Sequence, residues 1–229
     1  AGFFHLMKAG ILRKKVYEDL RLQKVVRKHK WQDVVNPQFF QFLLDDNAIH
    51  ARLTEEDVGF LVKYGVFRDG IRWQDNLLVT PEGERISTDL RDQDTLQKVT
   101  HTCLGTQLKH GRIMHGGFFV GNRAFYEGLR NLSDEARSQI NMTAISYVNA
   151  LYNNEELKRA QREEARFINT VFLVHLLGAA TSDGLETGKV VSGVGGQYNF
   201  VAQAHELQGA RSILMLKSTR SKNGETHSN

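Results

Sequence analysis

The chain has 229 residues, 41% of them hydrophobic and 24% charged, which supplies at least one sizeable core and excludes a disordered tail. Its 30 basic residues against 26 acidic ones leave a formal charge of +4, a surplus that suits an anionic ligand without requiring one. The single cysteine, Cys103, excludes an internal disulfide framework and points to a reducing compartment, and no apolar run approaches the roughly 18 residues of a membrane span.

The opening AGFFHLMKAG lacks a signal-peptide cleavage pattern, so a cytoplasmic location is expected. It also begins without methionine and in mid-pattern, the expected look of a piece of a longer chain. Val16, Leu20, Leu22, Val25 and Val26 recur at roughly helical spacing and predict a surface helix from Val16 to about Lys30. Arg13, Lys14, Lys15, Lys24, Arg27, Lys28 and Lys30 lie along it, close to Trp31. Glu18 and Asp19 interrupt this basic run and no nucleic-acid motif follows, so it reads as a solvated helix face and no nucleic-acid partner is expected. Asn36-Pro37 reads as an N-cap with a first-turn proline opening FFQFLLDD, and Thr54 with Asp57 as a capping box before VGFLVKYG. GIRWQDNLLVTPEGERI predicts a hairpin, with turns at Asp75-Asn76 and at Pro81 to Gly83. These segments form a small, mainly helical subdomain, placed at residues 25–91 behind a lead-in of residues 1–24.

From residue 92 to residue 229 the pattern changes to strand candidates alternating with helix candidates. RIMHGGFFV, MTAISYV, RFINTVFLV, KVVSGVGG and ARSILMLKST read as strands, and NRAFYEGLRNL, EELKRAQREEA and NFVAQAHEL as helices. That alternation predicts an α/β fold with a mostly parallel sheet, in which ligands bind at the carboxyl ends of strands. The most informative segment is KVVSGVGGQYNFVAQAH, where an apolar strand runs into Gly193, Gly195 and Gly196 and then into a helix. Such a loop makes an anion or oxyanion cradle, although glycines at a strand-to-helix junction also serve as plain turn residues. It is neither a Walker loop nor a full dinucleotide fingerprint.

SGVGGQYNF, followed about ten residues later by ARSILMLKST, resembles the C-terminal signature of the acetyl-CoA hydrolase/transferase family, S-G-x-G-G-Q-x-D-F and then a strand ending in Ser-Thr. Ser192 to Gln197, Phe200, Ser218 and Thr219 match, while Asn199 stands where the family usually has aspartate. LKHGRIMHGGFFVGNRAFYEGL and ISYVN resemble further family segments in the right order, and GFFHLMKAGIL resembles the helix after the family's catalytic glutamate. The resemblance implies a CoA-transferase-like layered domain with coenzyme A or acyl-CoA as co-substrate, no metal, and a small carboxylate or water as acceptor. It implies a glutamate nucleophile that precedes this chain, in an N-terminal half on which these residues depend, so that the fragment alone is inactive. A homodimer is the assembly such folds usually form. Asn149 takes the place of the asparagine that orients the glutamate and the reacting carbonyl, and Gly195 and Gly196 that of the backbone donors to the oxyanion. Removing one such donor costs about 2.7–4 kcal/mol of transition-state stabilisation. Gly193 and Gln197, with Gly121 and Asn122 at the start of a helix, fall on the CoA side, and N-capping is the plainer role for Asn122. A non-catalytic acyl-CoA-binding module is the competing reading.

Other groups compete less well. His101, Cys103, His110 and His115 include zinc-ligand types but at no common zinc spacing, and nothing around Cys103 marks an activated thiolate. His175, in FLVHLLG, reads as a core or interface histidine, and His205 lies on the helix after the glycine loop. Asp183 and Glu186, in SDGLETG, read as a hairpin turn ahead of KVVSG.

Overall fold

The computed structural model describes residues 2–185, 187–193, 195–222 and 224–228. The chain forms two compact units, Ala1–Thr143 and Ala144–Asn229.

The first unit starts with α1 (Gly2–Lys8), α2 (Leu20–Lys28), α3 (Pro37–Asp45) and α4 (Glu55–Lys63). The helix predicted from Val16 begins four residues later because Asp19 caps it, accepting from the amides of Arg21 and Leu22 at 2.9 and 3.2 Å. Val16 is instead drawn into a bridge with Arg112. Asn36 accepts from the Phe39 amide at 2.9 Å, with Pro37 at the first helical position. The Thr54–Asp57 capping box forms in both directions, at 3.2 and 2.9 Å.

β1 (Arg72–Gln74), β2 (Leu77–Val79) and β3 (Arg85–Ser87) make an antiparallel sheet in the order β1-β2-β3. Asp75 and Asn76 both adopt positive φ, 52° and 62°, as a two-residue hairpin turn demands. α5 (Gln93–Thr102) follows. The chain then returns through residues 103–112, bridging Phe67, Val34 and Val16 in turn. Gly105 passes so close to the Gly65 carbonyl that a Cβ would lie 2.3 Å from its oxygen. One large core results, holding Tyr17, Leu22, Phe39, Phe40, Leu43, Leu61, Phe67 and Leu78 together with Val99, Cys103 and Leu108. β4 (Met114–Gly116), α6 (Arg123–Arg130), α7 (Asp134–Ser138) and β5 (Ile140–Met142) complete the unit, with β4 and β5 paired in parallel. α1 joins α6 through Phe4, whose ring lies 5.3 Å from that of Phe125 and covers Gly128.

The second unit runs α8 (Ile145–Asn149), α9 (Glu155–Arg162), β6 (Arg166–Thr170), β7 (Leu173–Val174), β8 (Ala180–Thr181), α10 (Gln197–Glu206), β9 (Arg211–Met215), β10 (Thr219–Lys222) and β11 (Glu225–Ser228). β6 and β9 pair in parallel and α10 packs across them, Phe200 meeting Phe167 at 5.4 Å between ring centres. Leu151, Phe167, Leu207 and Ala210 form the small core. β7 with β8, and β10 with β11, are antiparallel hairpins.

Helix and strand are mixed as an α/β chain requires, but parallel pairing occurs in two separate two-stranded pieces. Two predicted strands differ. MTAISYV leaves the sheet after Met142 and turns into α8, because the carbonyls at its end are taken by side chains and not by a neighbouring strand. KVVSG forms only an isolated bridge, Gly184 with Val190. Among the described residues no helix is long and apolar enough to cross a membrane.

Candidate active site

Asn149 ends α8, and the turn that carries it is held from beneath by side chains of two other helices. On α9, Lys158 and Arg162 stand one turn apart and face the turn's carbonyl oxygens. The Lys158 ammonium, 1% exposed at the level of the whole residue, donates to Ala150 O at 2.9 Å and Tyr152 O at 2.7 Å, and lies 4.7 Å from the centre of the Tyr147 ring. Arg162 donates to Tyr147 O at 2.7 Å and Ala150 O at 3.3 Å, and to the Gln203 carboxamide oxygen at 2.7 Å. Gln203, buried on α10, donates in turn to Asn149 O at 2.8 Å. Burial, with the Arg162 charge beside it, lowers the Lys158 pKa, and burial lowers that of Arg162. These five hydrogen bonds go to carbonyl or carboxamide oxygens, so the two cations bring positive potential to the turn.

A Cβ on Gly196 would sit 3.2 Å from Asn149 Nδ2 and 3.3 Å from its Oδ1, so the Asn149 carboxamide rests against the Gly196 α-carbon. Gly196 is the N-cap of α10 and brings no capping side chain of its own to that end of the helix. A Cβ on Gly193 or Gly195 would meet nothing within 4 Å, and neither has a positive φ, so neither internal packing nor backbone conformation demands glycine there. The Gln197 carboxamide oxygen accepts from the Ser182 hydroxyl, which ties the start of α10 to the segment after β8. The structure thus brings Asn149, Gly196 and Gln197 into one neighbourhood, with Gly193 and Gly195 on the open loop. Val194 lies outside the described residues.

Gly121 and Asn122 belong to the first unit. Asn122 caps α6, accepting from the Phe125 amide at 3.0 Å. A Cβ on Gly121 would stand 2.6 Å from the Phe125 ring, so packing alone accounts for that glycine. Cys103 is a core residue whose thiol burial pushes up to about 11, opposite to an activated thiolate. His101 lies in the last turn of α5, His110 sits exposed in a left-handed turn, and His115 lies on β4 facing Asn141 at 3.2 Å. Among the described residues no group of three or more His, Cys, Asp or Glu side chains could hold a metal ion.

His175 departs from the core reading: it is exposed at the tip of the β7–β8 hairpin, its amide bonded to Ala179 O, because the chain reverses there and does not continue as a strand. His205 occupies the last turn of α10, at the end away from the glycine loop. Asp183 uses its carbonyl to bind the amides of Val191 and Ser192, as a turn residue does, while Glu186 lies outside the described residues.

Sequence reasoning did not single out Lys158, Arg162 and Gln203. A signal was present. Gly196, Phe200, Gln203 and Leu207 follow helical spacing along one face of α10, and Gln203 is the polar member of a stripe that otherwise faces the small core.

No curated protein and no solved structure matches the chain. The family model of the acetyl-CoA hydrolase/transferase C-terminal domain matches residues 121–229, a stretch that begins at Gly121 and includes the whole Asn149 and glycine-loop arrangement. Over those residues the chain is similar to the acetyl-CoA hydrolase/transferase family.

Proposed function

We propose that this chain is the C-terminal part of an acyl-CoA transferase or hydrolase that works through a glutamyl-CoA thioester, with the nucleophilic glutamate supplied from outside these 229 residues. The observation that carries the reading is the placement of the Asn149 carboxamide against Gly196, at the N-terminal end of α10. A side-chain amide and backbone N–H groups gathered at one point suit a carbonyl oxygen that gains negative charge, and the cations beneath the turn add to that potential.

In this reading the glutamate carboxylate attacks the acyl-CoA carbonyl and expels CoA thiolate, leaving a mixed anhydride. The thiolate then attacks the glutamyl carbonyl and releases the acyl group as a carboxylate, leaving glutamyl-CoA. A small carboxylate acceptor repeats the sequence in reverse to give a new acyl-CoA, whereas water returns free CoA and the glutamate. Asn149 orients the glutamate and the reacting carbonyl, and the amides of Gly195 and Gly196 stabilise the oxyanion. Gly193, Gln197, Gly121 and Asn122 serve the coenzyme side. A layered CoA-transferase arrangement, a homodimer and a cytoplasmic location go with the same reading.

Intact-protein mass spectrometry of the full-length gene product, incubated with a panel of acyl-CoAs, tests it. The expected result is a CoA adduct on a glutamate that forms far more slowly in Asn149→Ala. A folded protein that gives neither adduct nor CoA release across the panel would sink the proposal, and tight acyl-CoA binding without turnover would put the binding module in its place.

A further inference from the structure

The carboxamide of Gln203 is used at both ends. Its nitrogen donates to the main-chain oxygen of Asn149 at 2.8 Å, and its oxygen accepts from Arg162 at 2.7 Å. The orientation of the group is unambiguous, because a main-chain oxygen only accepts and a guanidinium only donates. Arg162 then extends the same connection to Tyr147 O and Ala150 O, two and one residues to either side of Asn149. Gln203 lies two turns along α10 from Gly196, a distance of about 10 Å in a rigid helix. One side chain therefore joins the helix that begins at Gly196 to the turn that ends at Asn149, and Arg162 fixes that side chain in place.

We propose that Arg162 and Gln203 are positioning residues which set the separation between the Asn149 carboxamide and the Gly196 backbone. The catalytic consequence rests on the role given to Asn149 above; the geometric one does not. The Asn149 side chain lies against Gly196 while its main-chain oxygen accepts from Gln203, so a displaced main-chain oxygen carries the carboxamide away from Gly196. Plain satisfaction of the carbonyls at the end of α8 is the competing role, and it predicts no link to Asn149 in particular.

The test has two arms. In the first, the 15N spectrum of the chain is compared with that of Gln203→Met, a near-isosteric apolar replacement that removes both hydrogen bonds. The Asn149 side-chain NH2 and the Gly196 amide are both expected to shift. An unmoved Gly196 amide, two helical turns from the substitution, overturns the proposal. In the second arm, acyl-CoA turnover by the full-length gene product is measured in a double-mutant cycle. Gln203→Met is expected to lower kcat about 10- to 100-fold with little change in KM, as misplacement of a reacting group does. In the Asn149→Ala background the same substitution should cost less than about twofold, because a residue that acts through Asn149 has nothing left to position. Equal losses in both backgrounds overturn the positioning role. If Asn149→Ala alone retains full kcat, the catalytic reading of Asn149 fails and the spectral arm alone decides the geometric proposal. Should Gln203→Met not fold, Arg162→Lys reads the same arms, since it keeps the charge but loses the fork that reaches Gln203 and Tyr147 together.

Discussion

At the residue scale, glycines of similar appearance carry different loads. Gly121→Ala pushes a methyl group into the Phe125 ring, and a loss of about 1–3 kcal/mol is expected, read as a lower urea midpoint. Gly196→Ala instead presses on the Asn149 carboxamide, the movable end of a half-buried side chain, so its effect should fall on turnover by the full-length gene product and leave the midpoint nearly unchanged. The buried Cys103 thiol gives a pH signature. Its folded pKa, about 11, lies above the ordinary value of 9.0, so its contribution to stability is complete below that value and is lost as pH rises through about 11. Urea midpoints should fall across that window, and Cys103→Ala should flatten the fall. Asn149 is nominated by the sequence because the letters around it resemble a known segment. Gln203 is not, since its hydrogen-bond partner lies 54 residues away in sequence.

At the element scale, local chemistry made the first unit readable. Asn36-Pro37, the Thr54–Asp57 box and the Asp75-Asn76 turn each act within four residues, and each forms as its letters dictate. Thr54→Ala should therefore destabilise the chain by about 1 kcal/mol, and circular dichroism during urea unfolding would show it. ISYVN and KVVSG were misread for the opposite reason. Short apolar runs fit a strand or a helix equally well, and the choice lies with distant groups: Lys158 and Arg162 for the first, Asp183 for the second. The two parallel pairs were anticipated only as parts of a single sheet, because alternation along the chain specifies neighbours in sequence and not which strands pair.

At the scale of the whole molecule, the two units are built differently. The first encloses a large aromatic-rich core, whereas the second buries chiefly Leu151, Phe167, Leu207 and Ala210 and leaves Ile168, Leu176, Leu177, Val190, Ile213 and Met215 in solvent. Exposed apolar surface of this extent predicts that the native chain enhances the fluorescence of a hydrophobic dye, and that Leu176→Ser with Leu177→Ser lowers that signal without lowering the urea midpoint. The carbonyl-holding side chains beneath Asn149 carry a different consequence, one of timing. Where few apolar atoms are packed, order depends on hydrogen bonds that water can replace, so opening fluctuations there need not await global unfolding. Amide hydrogens of α8 and α10 should then exchange with deuterium well before those of α3 and α4, and the site would spend part of its time open while the first unit stays closed.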